Sequence, residues 1–349
     1  MMNRALCSTI NAGVVFSMLG CASLSHYDGR TEPIAFSNGS VRLSGILVEP
    51  GGNGPFPAVV FVHGSGPSTI DRPAWKAHAN EFTSRGFAVL VYDKRGSGHS
   101  GGNLSTADYE DLARDVIAAV KFLRTRNDIV PNSIGLLGLS EGGWVSPLAA
   151  SQLADVAFVI MSSGSPDSPY DQTLYALSTE LREKGLADSV IASSLDLRKR
   201  VWDYYRRGGQ DPRLATASER DSLNAGLVAL RKYGLNEMPS ELAEFDTAVY
   251  SAAARMRFFD PLPLLTRLTI PVLAVLGAND KSVDARSAVA KLEALRRDGH
   301  TNITVKVYAG VGHSLQSAPL AFGRYAAGYL DFIADWAREA IRKELRLQR

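Results

Sequence analysis

The sequence predicts a doubly wound, mostly parallel α/β sheet with a helical cap insertion. Three observations predict it. Short β-branched runs alternate with segments of helical period. Several of those runs have no polar alternation, so both of their faces are buried. One stretch, residues 168–265, breaks the rhythm and offers only helical patches.

Residues 1–25 read as an address. Arg4 gives a positive start and Ala12–Gly20 is an apolar run. It is too short for a bilayer core of roughly 30 Å but long enough for a secretory signal. The run closes on Gly20-Cys21-Ala22-Ser23, all small side chains. The segment resembles a bacterial lipoprotein signal, which implies export and a lipidated, membrane-attached Cys21. Met18 stands where such signals usually carry Leu, and cleavage after Ala22 to give a periplasmic or secreted protein is the alternative.

The core is expected over 33–167 and 266–345. It opens with an antiparallel hairpin around Pro33–Pro50 that includes Val41–Val48, followed by strands at Ala58–His63, Ala88–Asp93, Ile134–Leu139, Val156–Met161, Val272–Leu276 and Thr304–Tyr308. Helices are expected over Trp75–Ser84, Ala107–Thr125, Glu141–Leu153, Ala285–Arg296 and Arg324–Arg346. The last has Tyr325, Leu330, Phe332, Ile333 and Trp336 on one face and Arg338, Arg342 and Lys343 on the other. A loop as long as 168–265 without structure is improbable inside a compact domain, so this segment is read as a helical cap. Its aromatic and aliphatic content predicts a largely apolar pocket, and its charged clusters (Arg182-Glu-Lys, Arg198-Lys-Arg, Glu219-Arg-Asp) read as solvated faces.

Composition removes several functions. Among 349 residues, 38 Lys and Arg face 36 Asp and Glu, for a net charge of +2, and 45% of residues are hydrophobic. That balance argues against a disordered tail protein and against an electrostatic nucleic-acid binder. The two cysteines, Cys7 and Cys21, both lie near the start. A disulfide scaffold, a cysteine zinc site and a cysteine nucleophile in the body are therefore excluded.

Gly138-Leu-Ser-Glu-Gly142 follows a strand directly and opens a helix, the context that a G-x-S-x-G nucleophile turn requires. The turn lifts Ser140 above the sheet and aims the Glu141 amide at the same point. His63-Gly-Ser-Gly-Pro67, after an earlier strand, offers a second amide for an oxyanion, from Ser65 or, as runner-up, Gly66. A serine nucleophile needs a base and the base an orienting carboxylate. Of six histidines, His313 and His99 follow strands at their carboxyl ends, where parallel sheets place active sites. His26, His63, His78 and His300 do not suit the role: His26 precedes the core, His63 ties down its own loop, His78 lies within a helix and His300 precedes its strand. The chain order nucleophile, acid, base selects His313. Asp280, after Val272–Leu276, is the favoured acid, with Asp284 and Asp167 as alternatives and an Asx turn as its purely structural role. Asp93 and Arg95 read as charges that fix their loop.

These motifs, together with Val91-Tyr-Asp-Lys-Arg-Gly-Ser-Gly-His-Ser100, Gly277-Ala-Asn-Asp280 and Gly310-Val-Gly-His313, resemble the α/β-hydrolase superfamily. They are most similar to bacterial serine carboxylesterases, with serine aminopeptidase-like and acylpeptidase-like hydrolases also similar. The resemblance spans roughly Pro33 to Arg338 and is weakest through the cap. It implies a Ser140–Asp280–His313 triad, a Ser65 and Glu141 oxyanion hole, and hydrolysis of a small-molecule ester or short acyl substrate without metal or cofactor. Peptide cleavage, thioester cleavage or acyl transfer, and non-catalytic binding are the other readings. An aminopeptidase needs carboxylates for the substrate amine, and Glu241, Glu244 and Asp246 of the cap are the sequence's offer.

Overall fold

The computed structural model describes residues 29–71, 75–154, 156–239, 241–242, 247–317 and 324–347. The leader with Cys7 and Cys21 lies outside the described residues, as do Glu244 and Asp246. Among the described residues no helix is long and apolar enough to cross a membrane.

Eight strands form one sheet. In chain order they are β1 (Thr31–Asn38), β2 (Val41–Val48), β3 (Phe56–Val62), β4 (Ala88–Tyr92), β5 (Ile129–Leu139), β6 (Val156–Ser162), β7 (Val272–Gly277) and β8 (Ile303–Tyr308). Their spatial order is β1-β2-β4-β3-β5-β6-β7-β8. The β1–β2 and β2–β4 pairs are antiparallel and every later pair is parallel. All of β4, β6 and β7 is buried, as their unbroken apolar runs require.

The core helices are α1 (Lys76–Ser84), α2 (Tyr109–Arg124), α3 (Gly142–Ser151), then, after the cap, α9 (Ala285–Arg297) and α10 (Tyr329–Leu347). One apolar cluster joins α2 and α3 to one sheet face through Leu112, Val116, Val120 and Leu148. A second joins α1 and α10 to the other face through Phe82, Tyr329 and Ile333. From β3 the chain crosses to β4 on one side and then returns to β5 on the other. The crevice beyond the ends of β3 and β5 is thus the place where a doubly wound sheet opens to a ligand.

Two boundaries differ from the sequence reading by more than two residues. β5 begins at Ile129 rather than Ile134, because Pro131 and Asn132 sit exposed where the pairing with β3 shifts register. A bulge of this kind accommodates a proline that would otherwise argue against a strand. α10 begins at Tyr329 rather than Arg324.

Between β6 and β7 lie α4 (Pro169–Glu183), α5 (Asp188–Gln210), α6 (Ala217–Leu230), α7 (Thr247–Arg257) and the short α8 (Leu262–Leu265). Leu177, Leu181, Val201, Tyr204, Leu223 and Leu227 form a cluster of their own there. Leu264 and Leu265 of α8 instead join the cluster under α2 and α3.

Candidate active site

The turn that carries Ser140 is built by exclusion of side chains. A Cβ on Gly138 would stand 2.0 Å from the Gly142 carbonyl oxygen, and one on Gly142 would stand 2.4 Å from that of Val62. Only glycine fits either place. Between them Ser140 adopts φ +52°, and its amide donates to the Ser162 carbonyl at 2.8 Å. A non-glycine residue at positive φ is strained and persists where its surroundings impose it. Here the imposed turn carries Ser140 from the end of β5 to the start of α3.

His313 follows β8 and Asp280 follows β7. His313 Nε2 lies 2.8 Å from Ser140 Oγ, and His313 Nδ1 lies 2.8 Å from Asp280 Oδ2. A carboxylate only accepts, so Nδ1 carries the proton and Nε2 is left to accept from the serine hydroxyl. The Asp280 side chain is fully buried. Its other oxygen, Oδ1, accepts from the amides of Ser282 at 2.8 Å and Val283 at 2.9 Å. The turn role and the role toward His313 therefore coexist, one on each oxygen. From the neighbouring strand end, Ser163 Oγ donates to the His313 carbonyl at 2.6 Å. Tyr175 of α4 donates its hydroxyl to the Asp280 carbonyl at 3.1 Å, linking the cap to the acid's loop.

The alternative groups are engaged elsewhere. Asp284 caps α9, accepting from the Ser287 amide at 3.0 Å. Asp167 accepts from Ser165 Oγ at 2.7 Å and pairs with Lys291. His99 is largely exposed, 3.5 Å from Asp93. His63 is buried with Nε2 donating to the Tyr92 carbonyl at 2.6 Å, and burial pushes its pKa down to about 4. Asp93 accepts from the amides of Ile70 at 2.7 Å and His99 at 2.8 Å, and Arg95 grips Asp115 through two bonds of 2.7 Å. Both fix their loop.

Ser65, Glu141, Ser140 and His313 line one cavity of about 550 Å³. Among the described residues neither the Ser65 amide nor that of Glu141 donates to a backbone carbonyl. The Glu141 amide opens α3, where the helix dipole favours negative charge. The side chain of Glu141, to which the sequence reading gave no role, is buried against Lys94, and Lys94 Nζ also donates to the Gly64 carbonyl at 2.9 Å. This ammonium ties together the loops after β3, β4 and β5.

The cap's contribution differs from the sequence expectation. The cavity wall contains Gln172, Thr173, Glu237 and Arg257 beside Trp144 and Met256, so it is more polar than predicted. Arg198, read as part of a solvated face, is only 8% exposed, because the phase of α5 turns it inward onto Trp202, with the guanidinium 4.6 Å from the ring centre. Lys199 and Arg200 are exposed as expected. Glu241 pairs with Arg231 at the surface, and among the described cap residues the carboxylate that lines the cavity is Glu237, which the sequence reading missed. Among the described residues no group of three His, Cys, Asp or Glu is placed to hold a metal ion.

Comparison with known proteins agrees with this architecture. Esterase EstD of Thermotoga maritima is 26% identical over 326 residues, covering 87% of this chain and 68% of the relative. The quorum-quenching protein AidA of Acinetobacter baumannii is 27% identical, covering 86% of this chain and 93% of the relative. The Pyrococcus furiosus esterase Pf2001 superposes with a TM-score of 0.55 over 89% of this chain and 91% of that one, at 16% identity, which shows a shared fold. The sequence profile of the alpha/beta hydrolase family matches residues 59–324. The chain belongs to the alpha/beta hydrolase family.

Proposed function

We propose that the protein is a serine hydrolase that cleaves carboxylic esters through an acyl-enzyme intermediate. The observation that carries this reading is the continuous chain from Asp280 through His313 to Ser140, with two contacts of 2.8 Å. Ser140 Oγ attacks the ester carbonyl carbon while His313 Nε2 takes its proton. The tetrahedral oxyanion is met by the Ser65 and Glu141 amides, each such donor being worth roughly 3 kcal/mol. The imidazolium, stabilised by Asp280, gives its proton to the departing alkoxide, and the alcohol leaves. Water, deprotonated by His313, then attacks the acyl-enzyme and releases the acid with Ser140 restored. The esterase relative, which covers most of this chain, supports esters over other acyl substrates.

The test is a panel of 4-nitrophenyl esters of graded acyl length beside aminoacyl 4-nitroanilides, with a fluorophosphonate label read by mass spectrometry. Ester turnover should exceed anilide turnover, and both the label and the turnover should vanish in S140A. Anilide cleavage above ester cleavage, or labelling that survives S140A, would overturn the reading. We propose in addition that the leader exports the protein and that Cys21 anchors it by a lipid; palmitate labelling lost in C21S tests this.

A further inference from the structure

The catalytic cavity does not end at the nucleophile. Arg257 and Ala253 of α7 line both it and a second cavity of about 240 Å³ within the cap. Arg198 and Trp202 of α5 line the second cavity. The two guanidiniums share the Trp202 ring, Arg198 at 4.6 Å and Arg257 at 5.9 Å from its centre. Among the described residues neither makes an ion pair. Arg257 donates only to Thr173 Oγ1, at 3.3 Å, and buried Arg198 leaves its Nε without a partner.

A buried cation without a counter-charge is costly, and two side by side more so. Among the described residues the acid whose charge acts on both is Glu237, on the wall of the catalytic cavity. Burial, followed by the charge of Arg257, pushes Arg198 down to about 10, which leaves it charged at neutral pH. Burial raises Glu237 above the ordinary carboxylate range, against the pull of Arg198 and Arg257. Among the described residues, these two cations against the one carboxylate that acts on both leave an excess of positive charge beside the cavity that holds Ser140.

We propose that the substrate supplies the missing negative charge: the protein is selective for esters that carry one carboxylate, which docks at Arg257 with Arg198 behind it. The planar guanidinium fork matches a carboxylate, and the buried Trp202 ring that both guanidiniums share makes their surroundings less polar than open water. This rests on the ester-hydrolase reading and names its substrate class.

Two matched pairs of esters test it at fixed ionic strength. 4-Nitrophenyl hydrogen glutarate against 4-nitrophenyl hexanoate puts the charge on the acid side. 3-Carboxyphenyl butyrate against phenyl butyrate puts it on the alcohol side. In at least one pair the charged ester should have the higher kcat/KM, by about ten-fold or more. R257Q should reduce that charged-to-neutral ratio about ten-fold, and R257K should keep much of it. E237Q should raise the ratio several-fold, a direction that loss of structure would not give, so the proposal stays testable even if R257Q folds poorly. A ratio of one or less in both pairs overturns the proposal. So does an equal loss on both members of a pair in R257Q, or a preference for an ammonium-bearing aminoacyl ester. Ser140-dependent hydrolysis of the neutral esters with no preference for charge sinks the anion site alone, whereas turnover unchanged in S140A sinks the hydrolase reading and the proposal with it.

Discussion

Lys94→Met isolates a contact on which three loops depend. The ammonium pairs with Glu141, and their side chains are only 5% and 7% exposed. Removing the cation strands the Glu141 carboxylate in a place with little water and leaves the Gly64 carbonyl without the donor at 2.9 Å. Breaking a buried pair from one side costs about 3–5 kcal/mol, whereas replacing both members with apolar groups of similar volume is often nearly neutral. Urea unfolding of the wild type, K94M, E141M and K94M/E141M should therefore give two destabilised single variants and a double variant within about 1 kcal/mol of the wild type. The corresponding coupling energy is about 5 kcal/mol or more in magnitude. Gly64 precedes Ser65, so a freed loop should also lower kcat on a 4-nitrophenyl ester about ten-fold, against the roughly 10²–10³-fold loss expected when an oxyanion donor is removed outright. A K94M variant destabilised by under about 1 kcal/mol, or a double variant whose cost is the sum of the single ones, would refute the argument.

Two further outcomes follow from the same geometry. D280N should lower kcat by about 10⁴, since an amide in place of the carboxylate favours the wrong imidazole tautomer. D284A should cost about 1 kcal/mol of stability through its helix cap while leaving kcat within a few-fold, and comparison of the two by ester kinetics separates these roles. The His63 pKa lies near 4 in the fold against an unfolded value near 6.5, so the unfolded chain binds the extra proton between those values. Stability from this residue is complete above pH 6.5 and falls by about 3 kcal/mol as the pH drops to 4. H63Q, which keeps a donor for the Tyr92 carbonyl, should flatten that fall in urea titrations at pH 4 to 7, and parallel curves for the two proteins would refute it.

The strands were legible because a parallel sheet buried on both faces leaves runs such as Val156–Met161 with no polar position. The Ser140 turn was legible because Gly138 and Gly142 answer a steric demand that belongs to the turn itself. The placement of His313 and Asp280 followed from strand polarity, since residues after a parallel strand share one rim. Lys94 was not legible. Its partners come from loops 30 and 47 positions away, and a lysine between Asp93 and Arg95 looks no different from its neighbours. Arg198, Glu237 and Arg257 were missed for a related reason. In the cap the apolar signal has a helical period, but which charged residue turns inward depends on how α5 and α7 meet. A signal was present for Arg198 alone: Trp202 stands one helical turn on, and an aromatic at that spacing offers an arginine a surface to lie against.

The cap's separate apolar cluster of Leu177, Leu181, Val201, Leu223 and Leu227 makes the molecule interchangeable by parts. The groups proposed to react stand on loops rooted in the sheet, and the helices above them, apart from α8 and the Arg255–Asp108 pair that join them to the core, pack on one another. Grafting a different helical lid between β6 and β7 would alter which molecules are admitted while leaving the foundation of the chemistry untouched. Among the described residues the hydrogen bond from that lid to the proposed trio is the Tyr175 hydroxyl on the Asp280 carbonyl, and any transplanted lid would have to reproduce it.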